Sequence, residues 1–298
     1  MNLFWVIKAL NLNESNQQVM LFDSYKNGPY YELIKKAFSK NHPILRYTYY
    51  KNKIVLFRHL IFHLESSAGL IFPRDAKPYP LRCSDSTFFR EYRKHILNSF
   101  SLYHVNPPAI PTITLSLRHR SDKKNTGRII QNEQDVINMV KSGTLVNVNV
   151  VDMDKLSIYE QLQVARNTSI LVGVHGAGLM HIMYAAEEAI LVEIHPSYRH
   201  DYHFRHAARM SGKIYMPFRS LNKETCTGSS DNLLINIEEL RLVIDGAVRI
   251  ARSFDTGSSE CGLVCPTQIL AFDQRLNRFF TSSEIIRSKA ISRFPCGA

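Results

Sequence analysis

The sequence of 298 residues contains neither a long apolar run nor an internal repeat. No stretch reaches the roughly 18 consecutive apolar residues that a membrane-spanning helix needs. The opening segment 1–8 is too short for the core of a signal peptide, and Lys8 interrupts it. These absences predict either a cytosolic protein or a chain whose leader sequence lies upstream.

Cysteine is scarce, and the five cysteines are an odd number, so composition does not settle the redox compartment. Cys261 and Cys265 are able to pair with each other or with one of the cysteines at 83, 226 and 296. The spacing of Cys261 and Cys265 lacks the second ligand pair that a structural zinc site requires.

The formal net charge is +11, with 45% hydrophobic and 21% charged residues. This balance predicts a folded chain with a buried core and an attraction to anions such as nucleic acid, anionic membrane or phosphorylated small molecules. The basic residues are dispersed, with one dense run at 118–124, and no nucleic-acid-binding motif accompanies them. A nucleic-acid-binding protein is therefore an alternative, which predicts salt-dependent binding to any polyanion.

Strands and helices alternate after Pro111. The predicted strands span 112–117, 145–151, 169–174, 190–194 and 213–217, and the predicted helices lie around 136–140, over 157–166 and over 179–186. Ser157 and Glu160 have the spacing of a capping box. This alternation predicts a parallel, Rossmann-like sheet with right-handed crossovers, whose ligands lie beyond the carboxyl ends of the strands.

The flanking regions are less regular. Short strands are predicted over 19–22, 44–47 and 54–57, and helices over 30–38, 88–100 and 235–252. Prolines make 106–111 a domain boundary. The predicted organisation is therefore an N-terminal, acceptor-side α/β domain (1–105), a C-terminal Rossmann-like domain (106–222) and a C-terminal extension (223–298).

The glycine-rich segment 173–178, Gly-Val-His-Gly-Ala-Gly, follows a buried strand and precedes a helix. In this context glycines let backbone amides approach a phosphate, and the helix N-terminus adds about half a positive charge. The spacing differs from that of the dinucleotide fingerprint. Taken alone, the segment is as typical of a tight turn as of a binding loop.

Four segments, in this order, resemble the glycosyltransferase 61 family, and especially its branch of EGF-domain-specific and protein O-linked N-acetylglucosaminyltransferases. The first segment comprises Leu-Ser-Leu-Arg at 115–118, the basic loop that follows and residues 128–133. The other three segments are 150–161, 171–179 and 189–196. The third segment, Leu-Val-Gly-Val-His-Gly-Ala-Gly-Leu, carries the family's hallmark.

The resemblance implies the GT-B architecture, in which two Rossmann-like domains face a deep cleft. It also implies an inverting glycosyltransferase that moves a sugar, with N-acetylglucosamine as one candidate, from a UDP-sugar to a protein or glycan hydroxyl. Neither a metal nor another cofactor is expected, and the implied compartment is the endoplasmic reticulum or Golgi lumen. The alternative is a degenerate family member that binds nucleotide or glycan without turnover.

Chemistry assigns roles within the predicted donor site. Arg118, at the end of the first strand, is placed to grip a diphosphate, and His175 to donate a hydrogen bond to it. Glu193 suits ribose hydroxyls. The full predicted donor site is Arg118, Arg128, Gly173, His175, Gly176, Ala177, Gly178 and Glu193. The alternatives are solvated arginines, a capping histidine and a strand-end carboxylate paired with a basic neighbour.

The general base is not identified from the sequence. An inverting transferase needs a group within reach of the acceptor hydroxyl. Residues 1–105 offer His59, His63, Asp75 and Asp85 as candidates by residue type alone.

Two further patterns suggest metal sites but favour other interpretations. Asp152-Met-Asp154 has the D-x-D spelling of metal-dependent transferases, yet it lies between a strand and a capped helix, where acidic residues form turns. The histidines at 195, 200, 203 and 206 match no standard zinc spacing. For these histidines we predict a basic surface or the rim of the donor site.

Overall fold

The computed structural model describes residues 2–13, 17–22, 28, 30–61, 86–106, 109–119, 128–143, 146–196, 203–219, 232–255, 271–273 and 278–280. The N-terminal elements are helix α1 (Asn2–Ala9), strand β1 (Met20–Leu21), helix α2 (Tyr31–Phe38), strand β2 (Leu45–Arg46) and helix α3 (Thr87–Ser99). β1 and β2 pair in parallel. Each of these elements except α1 lies where the sequence pattern predicted one.

The strand predicted over 54–57 is wrong. These residues are described and belong to neither a strand nor a helix. Ile54 and Leu56 are fully exposed, with relative exposures of 105% and 96%. Because neither side chain packs on a core, these two residues lack the half-buried environment that favours a strand.

The central sheet contains the predicted parallel strands. In chain order they are β3 (Thr112–Leu117), β4 (Asn147–Asp152), β5 (Ile170–Val174), β6 (Ile190–Ile194) and β7 (Ile214–Phe218). Their spatial order is β4-β3-β5-β6-β7, and all neighbours are parallel. Strands β3, β5 and β6 are buried along their whole length, as the apolar run at 169–174 predicted for β5. The predicted α/β class with a Rossmann-like parallel sheet is confirmed.

The connections of the sheet are helices α4 (Glu133–Ser142), α5 (Ile158–Arg166) and α6 (His203–Met210), with a 3₁₀ helix at Ala177–Tyr184. The capping box of Ser157 and Glu160 is present. The segment after the glycine loop is thus a 3₁₀ helix rather than the α-helix implied by the pattern. Gly176 and Gly178 weaken α-helical propensity at its start.

Both faces of the sheet are covered. On one face, Leu171, Leu191 and Tyr215 belong to a cluster that includes side chains of α1, α2, α3 and α5. On the other face, Ile170, Val172 and their neighbours pack with α4 and with α7 (Ile237–Asp255). The alternation of side chains along β5 sends successive residues to opposite faces, which explains how one apolar run contributes to two cores.

The segment before α7 is attached to the loop that enters α4. Ile130 and Leu233 form an isolated parallel bridge. The Asn132 side chain bonds the backbone of Ile235, accepting from its N–H at 2.9 Å and donating to its carbonyl at 2.8 Å. Asn132 therefore joins two segments rather than capping α4 with its side chain. A last antiparallel pair, β8 (Ala271–Asp273) and β9 (Arg278–Phe280), completes the described elements.

Candidate functional site

The predicted site residues meet at one edge of the sheet. Arg118 follows β3, Met153 follows β4, His175 follows β5 and His195 follows β6. Because these strands are parallel, all four residues lie at the carboxyl ends of adjacent strands. This is the edge where ligands bind in open α/β sheets.

The glycine loop packs directly on β3, which leaves little space for side chains. A Cβ atom at Gly173 would lie 3.0 Å from both the Ser116 carbonyl oxygen and Leu179 Cδ2. A Cβ atom at Gly178 would lie 3.3 Å from Ser116 Oγ. Close packing between β5, β3 and the 3₁₀ helix therefore favours glycine at both positions, and more strongly at Gly173, where one of the contacts is backbone.

Arg118 lies against Gly176. A Cβ atom at Gly176 would overlap Arg118 Nη1, so only glycine leaves room for the guanidinium there. Arg118 Nη1 is itself buried and, among the residues that the structure describes, has no hydrogen-bond partner, although the side chain as a whole is only half-buried. Ala177, the next residue of the loop, is exposed. A buried cationic donor without a partner costs free energy unless a ligand satisfies it.

Arg128 also contacts the glycine loop. Its Nη1 donates to the His175 carbonyl oxygen at 2.6 Å. Its backbone φ of 72° lies in the left-handed region, which non-glycine residues adopt at a cost. Arg128 is therefore neither a solvated surface arginine nor simply a ligand contact, because it fixes the loop backbone.

A buried hydrogen-bonded network surrounds the His175 side chain. His175 Nδ1 lies 2.5 Å from Glu193 Oε1, and Tyr215 donates to Glu193 Oε2 at 2.7 Å. His195 Nε2 lies 2.7 Å from the Tyr215 hydroxyl. Since the Tyr215 proton is given to Glu193, His195 Nε2 donates to Tyr215. All four side chains are at most 7% exposed.

This geometry places Glu193 differently from a ribose ligand. The carboxylate is completely buried, and both of its oxygens are engaged by His175 and Tyr215. Because the carboxylate is completely buried, a bond from Glu193 to a sugar hydroxyl would require the residues that cover it to move. The observed contacts of Glu193 agree with the alternative interpretation from the sequence, in which a strand-end carboxylate pairs with a basic neighbour.

The electrostatics of the network favour an ionised Glu193. Burial alone raises the pKa of this carboxyl, but the charge of His195 and the hydrogen bond from His175 outweigh burial and lower the pKa to about 2. A carboxylate that stays ionised keeps the proton of the short contact on His175 Nδ1. The His175 ring orientation is further supported by Phe204, whose ring lies edge-on at a centroid distance of 4.8 Å.

His175, Glu193 and His195 are also the residues best placed to hold a metal ion in the described part of the chain, since their ligand atoms lie within 4.8 Å of one another. Zinc ligands bind at about 2.0–2.2 Å and are therefore separated by roughly 3 Å or more in a tetrahedral site. The 2.5 Å contact between His175 and Glu193 is instead the length of a short hydrogen bond. The observed arrangement is a proton-bearing network.

Asp152, the first residue of the D-x-D segment, has a structural role. Asp152 accepts from the Asp154 backbone N–H at 3.2 Å and lies 2.9 Å from His119 Nδ1. Partial burial raises the pKa of Asp152, but the His119 hydrogen bond and the backbone bond outweigh it, and the pKa is lowered. His119 also lies 3.1 Å from Glu133. These contacts agree with the predicted turn-forming role of Asp152.

The sequence missed several participants. Tyr215 and Ser116 lie inside strands and carried no motif, and His119 followed Arg118 without a recognisable pattern. The histidines were predicted to form a basic surface or the rim of the donor site. The surface interpretation is wrong for His195 and His206, which are 7% and 4% exposed, whereas His195 lies beside His175, with 5.8 Å between the ring centroids. The burial of His195 could have been inferred from the sequence, because His195 directly continues the apolar, fully buried strand β6.

The remaining predictions lie apart from this edge. His59 is exposed within the segment that forms no strand. His63, Asp75, Asp85, His200 and the five cysteines lie outside the described residues. None of the described helices combines the length and apolar character needed to cross a membrane.

Comparison with known proteins supports the resemblance seen in the sequence. A family described as Glycosyltransferase 61 matches residues 68–192. Proteins named EGF domain-specific O-linked N-acetylglucosamine transferase are similar to this chain. The Canis lupus familiaris protein is 25% identical over 228 residues, covering 74% of this chain and 42% of the relative. The Bos taurus protein is 26% identical over 228 residues, with the same coverage, and the Drosophila melanogaster protein is 26% identical over 180 residues, covering 60% of this chain and 33% of the relative. The chain thus spans about two fifths of the length of the mammalian relatives.

Proposed function

We propose that this chain, a relative of the glycosyltransferase 61 family, carries the donor-binding site of a glycosyltransferase that uses a UDP-sugar. The transferred sugar is proposed to be N-acetylglucosamine, after the names of the similar proteins, and the acceptor a protein or glycan hydroxyl. We further propose inversion at the anomeric carbon and a GT-B arrangement with a second domain facing the carboxyl edge of the sheet. These proposals extend the family match to activity.

The observation that carries the proposal is the guanidinium of Arg118 against the glycine loop. Its buried Nη1 has no hydrogen-bond partner in the described part of the chain, and the adjacent Gly176 has no side chain that would fill the space. A diphosphate provides the charge and the acceptor oxygens that such a donor needs. Ala177, the exposed first residue of the 3₁₀ helix, would lie beside the same phosphate.

The departing nucleoside diphosphate is the group that gains negative charge as the sugar leaves. Arg118 is permanently cationic, and His175 lies on the same loop one residue before Gly176. Preorganised donors at the position where charge develops lower the barrier more than groups that must reorient. Arg128 contributes indirectly, because its bond to the His175 carbonyl holds the loop in place.

Glu193 acts as a positioning residue in this proposal. Its bond to His175 Nδ1 fixes the orientation of the imidazole ring, so that Nε2 points away from Glu193. Tyr215 and His195 hold Glu193 from its other side.

We propose that the reaction needs no divalent ion. In transferases with a D-x-D pair, a bound ion neutralises the leaving diphosphate. Here Arg118, His175 and the backbone at the start of the 3₁₀ helix are proposed to provide the positive charge instead. Asp152 is engaged by His119 and by the Asp154 backbone.

The first experiment is a ligand screen by thermal denaturation with UDP, GDP and NAD. A ligand that binds only the folded state raises the melting temperature by a few degrees once its concentration is about 100 times Kd. We expect stabilisation by UDP and little by NAD. Equal stabilisation by all three, or by none, would contradict the assigned donor.

Turnover is measured separately as release of UDP from UDP-N-acetylglucosamine, with and without an EGF-domain acceptor. Release of UDP that the acceptor accelerates supports the transferase. UDP binding without any release would instead indicate a family member that binds nucleotide without turnover.

A further inference from the structure

A second cationic cavity lies between the N-terminal helices, on elements that do not contribute to the donor loop. Its volume is about 550 Å³, and residues of α1, α2 and α3 and of the turns that follow them line it. Four of the lining residues are lysines and only one is a carboxylate, Glu91. The lysines are Lys8, Lys36, Lys40 and Lys94. We call this the lysine cavity.

Three of these lysines, Lys8, Lys36 and Lys94, lie over aromatic rings. Lys36 Nζ lies 4.8 Å from the Phe100 ring centroid and 5.8 Å from that of Tyr159, and Lys94 Nζ lies 5.8 Å from the Tyr103 ring. Such contacts orient an ammonium without neutralising it. Among the residues that the structure describes, no carboxylate forms an ion pair with Lys36, Lys40 or Lys94 within 4.0 Å.

Helix capping explains only part of this charge. Lysine in the last turn of a helix interacts favourably with the helix dipole, which accounts for Lys8 at the end of α1 and Lys36 near the end of α2. Lys40 lies beyond the end of α2, and Lys94 lies in the middle of α3. Their convergence on one cavity adds repulsion between like charges that nothing in the local fold requires.

The floor of the cavity is rigid. His95 lies with Nε2 2.8 Å from the Ala37 carbonyl oxygen, so it joins α3 to α2. Its ring packs between Phe4 and Phe38, at centroid distances of 5.2 and 5.0 Å. Ser99 Oγ donates to the His95 carbonyl at 2.8 Å. The lysines therefore project from a preformed surface, which reduces the entropic cost of binding.

We propose that the lysine cavity binds a multivalent oxyanion, that is, a ligand that carries phosphate or sulfate groups. Lysine ammonium groups are compact charges with three donors each, and several of them suit tetrahedral oxyanions whose orientation varies. The volume falls within the range of ligand sites and accommodates a sugar unit that bears such a group. This site is separate from the donor loop and does not depend on the proposed transfer reaction.

The test is isothermal calorimetry of the whole chain with sodium tripolyphosphate and with a sulfated disaccharide, in excess UDP so that the donor site is occupied. We expect binding that weakens as NaCl rises, because salt screens exposed charges. If the sulfated disaccharide binds more tightly than tripolyphosphate, the oxyanion is carried by a saccharide. If tripolyphosphate binds more tightly, the ligand is an inorganic phosphate. An unsulfated disaccharide should not bind.

The variant that tests the assignment is the triple substitution Lys36→Gln, Lys40→Gln and Lys94→Gln. Its control is Lys51→Gln, Lys53→Gln and Lys141→Gln, which changes the net charge equally at exposed lysines outside the cavity. Binding should weaken about tenfold in the cavity variant, as expected for losing several modest charge interactions, and little in the control. Equal weakening in both, or no binding by the parent chain, overturns the proposal. UDP affinity, unchanged in both, separates this result from the donor assignment.

Discussion

The two edges of the central sheet use positive charge in different ways. At the amino edge, Arg93 donates to the Ala185 carbonyl and pairs with Glu187, and the fully buried Lys213 donates to the carbonyls of Ala186 and Glu187. Both cations bind the turn that precedes β6. At the carboxyl edge Arg128 also holds backbone, through the His175 carbonyl, but the buried Nη1 of Arg118, which lies beside Gly176, has no partner among the described residues. The comparison separates cations that hold the backbone from a cation available to a ligand.

Removing a backbone-bound cation should have the largest effect. Lys213→Met leaves the carbonyls of Ala186 and Glu187 without their charged donor, so we expect a loss of about 3–5 kcal/mol in the free energy of unfolding. Urea denaturation measures it, with the exposed Lys141→Met as the control. Arg118→Met should cost less than about 1 kcal/mol. If Arg118→Met destabilises the fold as much as Lys213→Met, the distinction between the two edges fails.

Filling the space beside Arg118 should abolish donor binding. Gly176→Val places a side chain where the Arg118 guanidinium lies, and we expect UDP affinity to fall by more than about 100-fold. Gly28→Val is the matched control, because a Cβ atom there has no neighbour within 4 Å. A double-mutant cycle with Arg118→Ala should be non-additive, since the two changes disrupt one contact. Full additivity would show that the loop acts independently of Arg118.

The network behind the loop predicts a specific dependence of stability on pH. The pKa of Glu193 is lowered from its ordinary value of 4.5 to about 2, so its contribution is complete above pH 4.5 and is lost as pH falls toward 2. The difference corresponds to roughly 3 kcal/mol at most. The free energy of unfolding of Glu193→Gln should therefore be lower than that of the parent at neutral pH, and this difference should narrow below pH 4.5. A difference that is constant from pH 7 to 3 would contradict the assigned network. As a control, Glu91→Gln, at an exposed position, should have the same free energy of unfolding as the parent.

The smallest effect is expected from metal removal. UDP release from the sugar donor should persist in excess EDTA, and Asp154→Asn should stay within about twofold of the parent, because the proposed reaction assigns no bound ion to the Asp154 carboxylate. Asp154 is exposed. Loss of activity in EDTA that manganese restores, together with an inactive Asp154→Asn, would revive a metal-dependent mechanism.

The sheet was predictable because its strands carry strong local signals. β3, β5 and β6 are short apolar or β-branched runs separated by turn residues and a capping box, and their observed bounds match the predicted ones within one residue. The failure at 54–57 has a tertiary cause. Apolar character alone did not reveal that Ile54 and Leu56 have no core to pack against.

The site was predictable only in outline. The sequence placed Arg118 and the glycine loop at the carboxyl edge, since their positions follow from strand ends. It gave no means of seeing that Glu193 bonds His175 and Tyr215, because these contacts join residues 18 and 22 positions apart. The crowding between Gly176 and Arg118 likewise depends on the register between β3 and β5.

The most direct test of the central claim is calorimetric titration of UDP into the parent chain and Arg118→Ala, with the exposed Arg249→Ala on α7 as the control. Losing a charge-assisted hydrogen bond of about 1.5–3 kcal/mol corresponds to roughly 10- to 150-fold weaker binding. We predict that loss for Arg118→Ala, an unchanged Kd for Arg249→Ala, and unchanged melting temperatures without UDP. If Arg118→Ala is folded and binds UDP as tightly as the parent, the donor phosphates do not bind at this edge of the sheet.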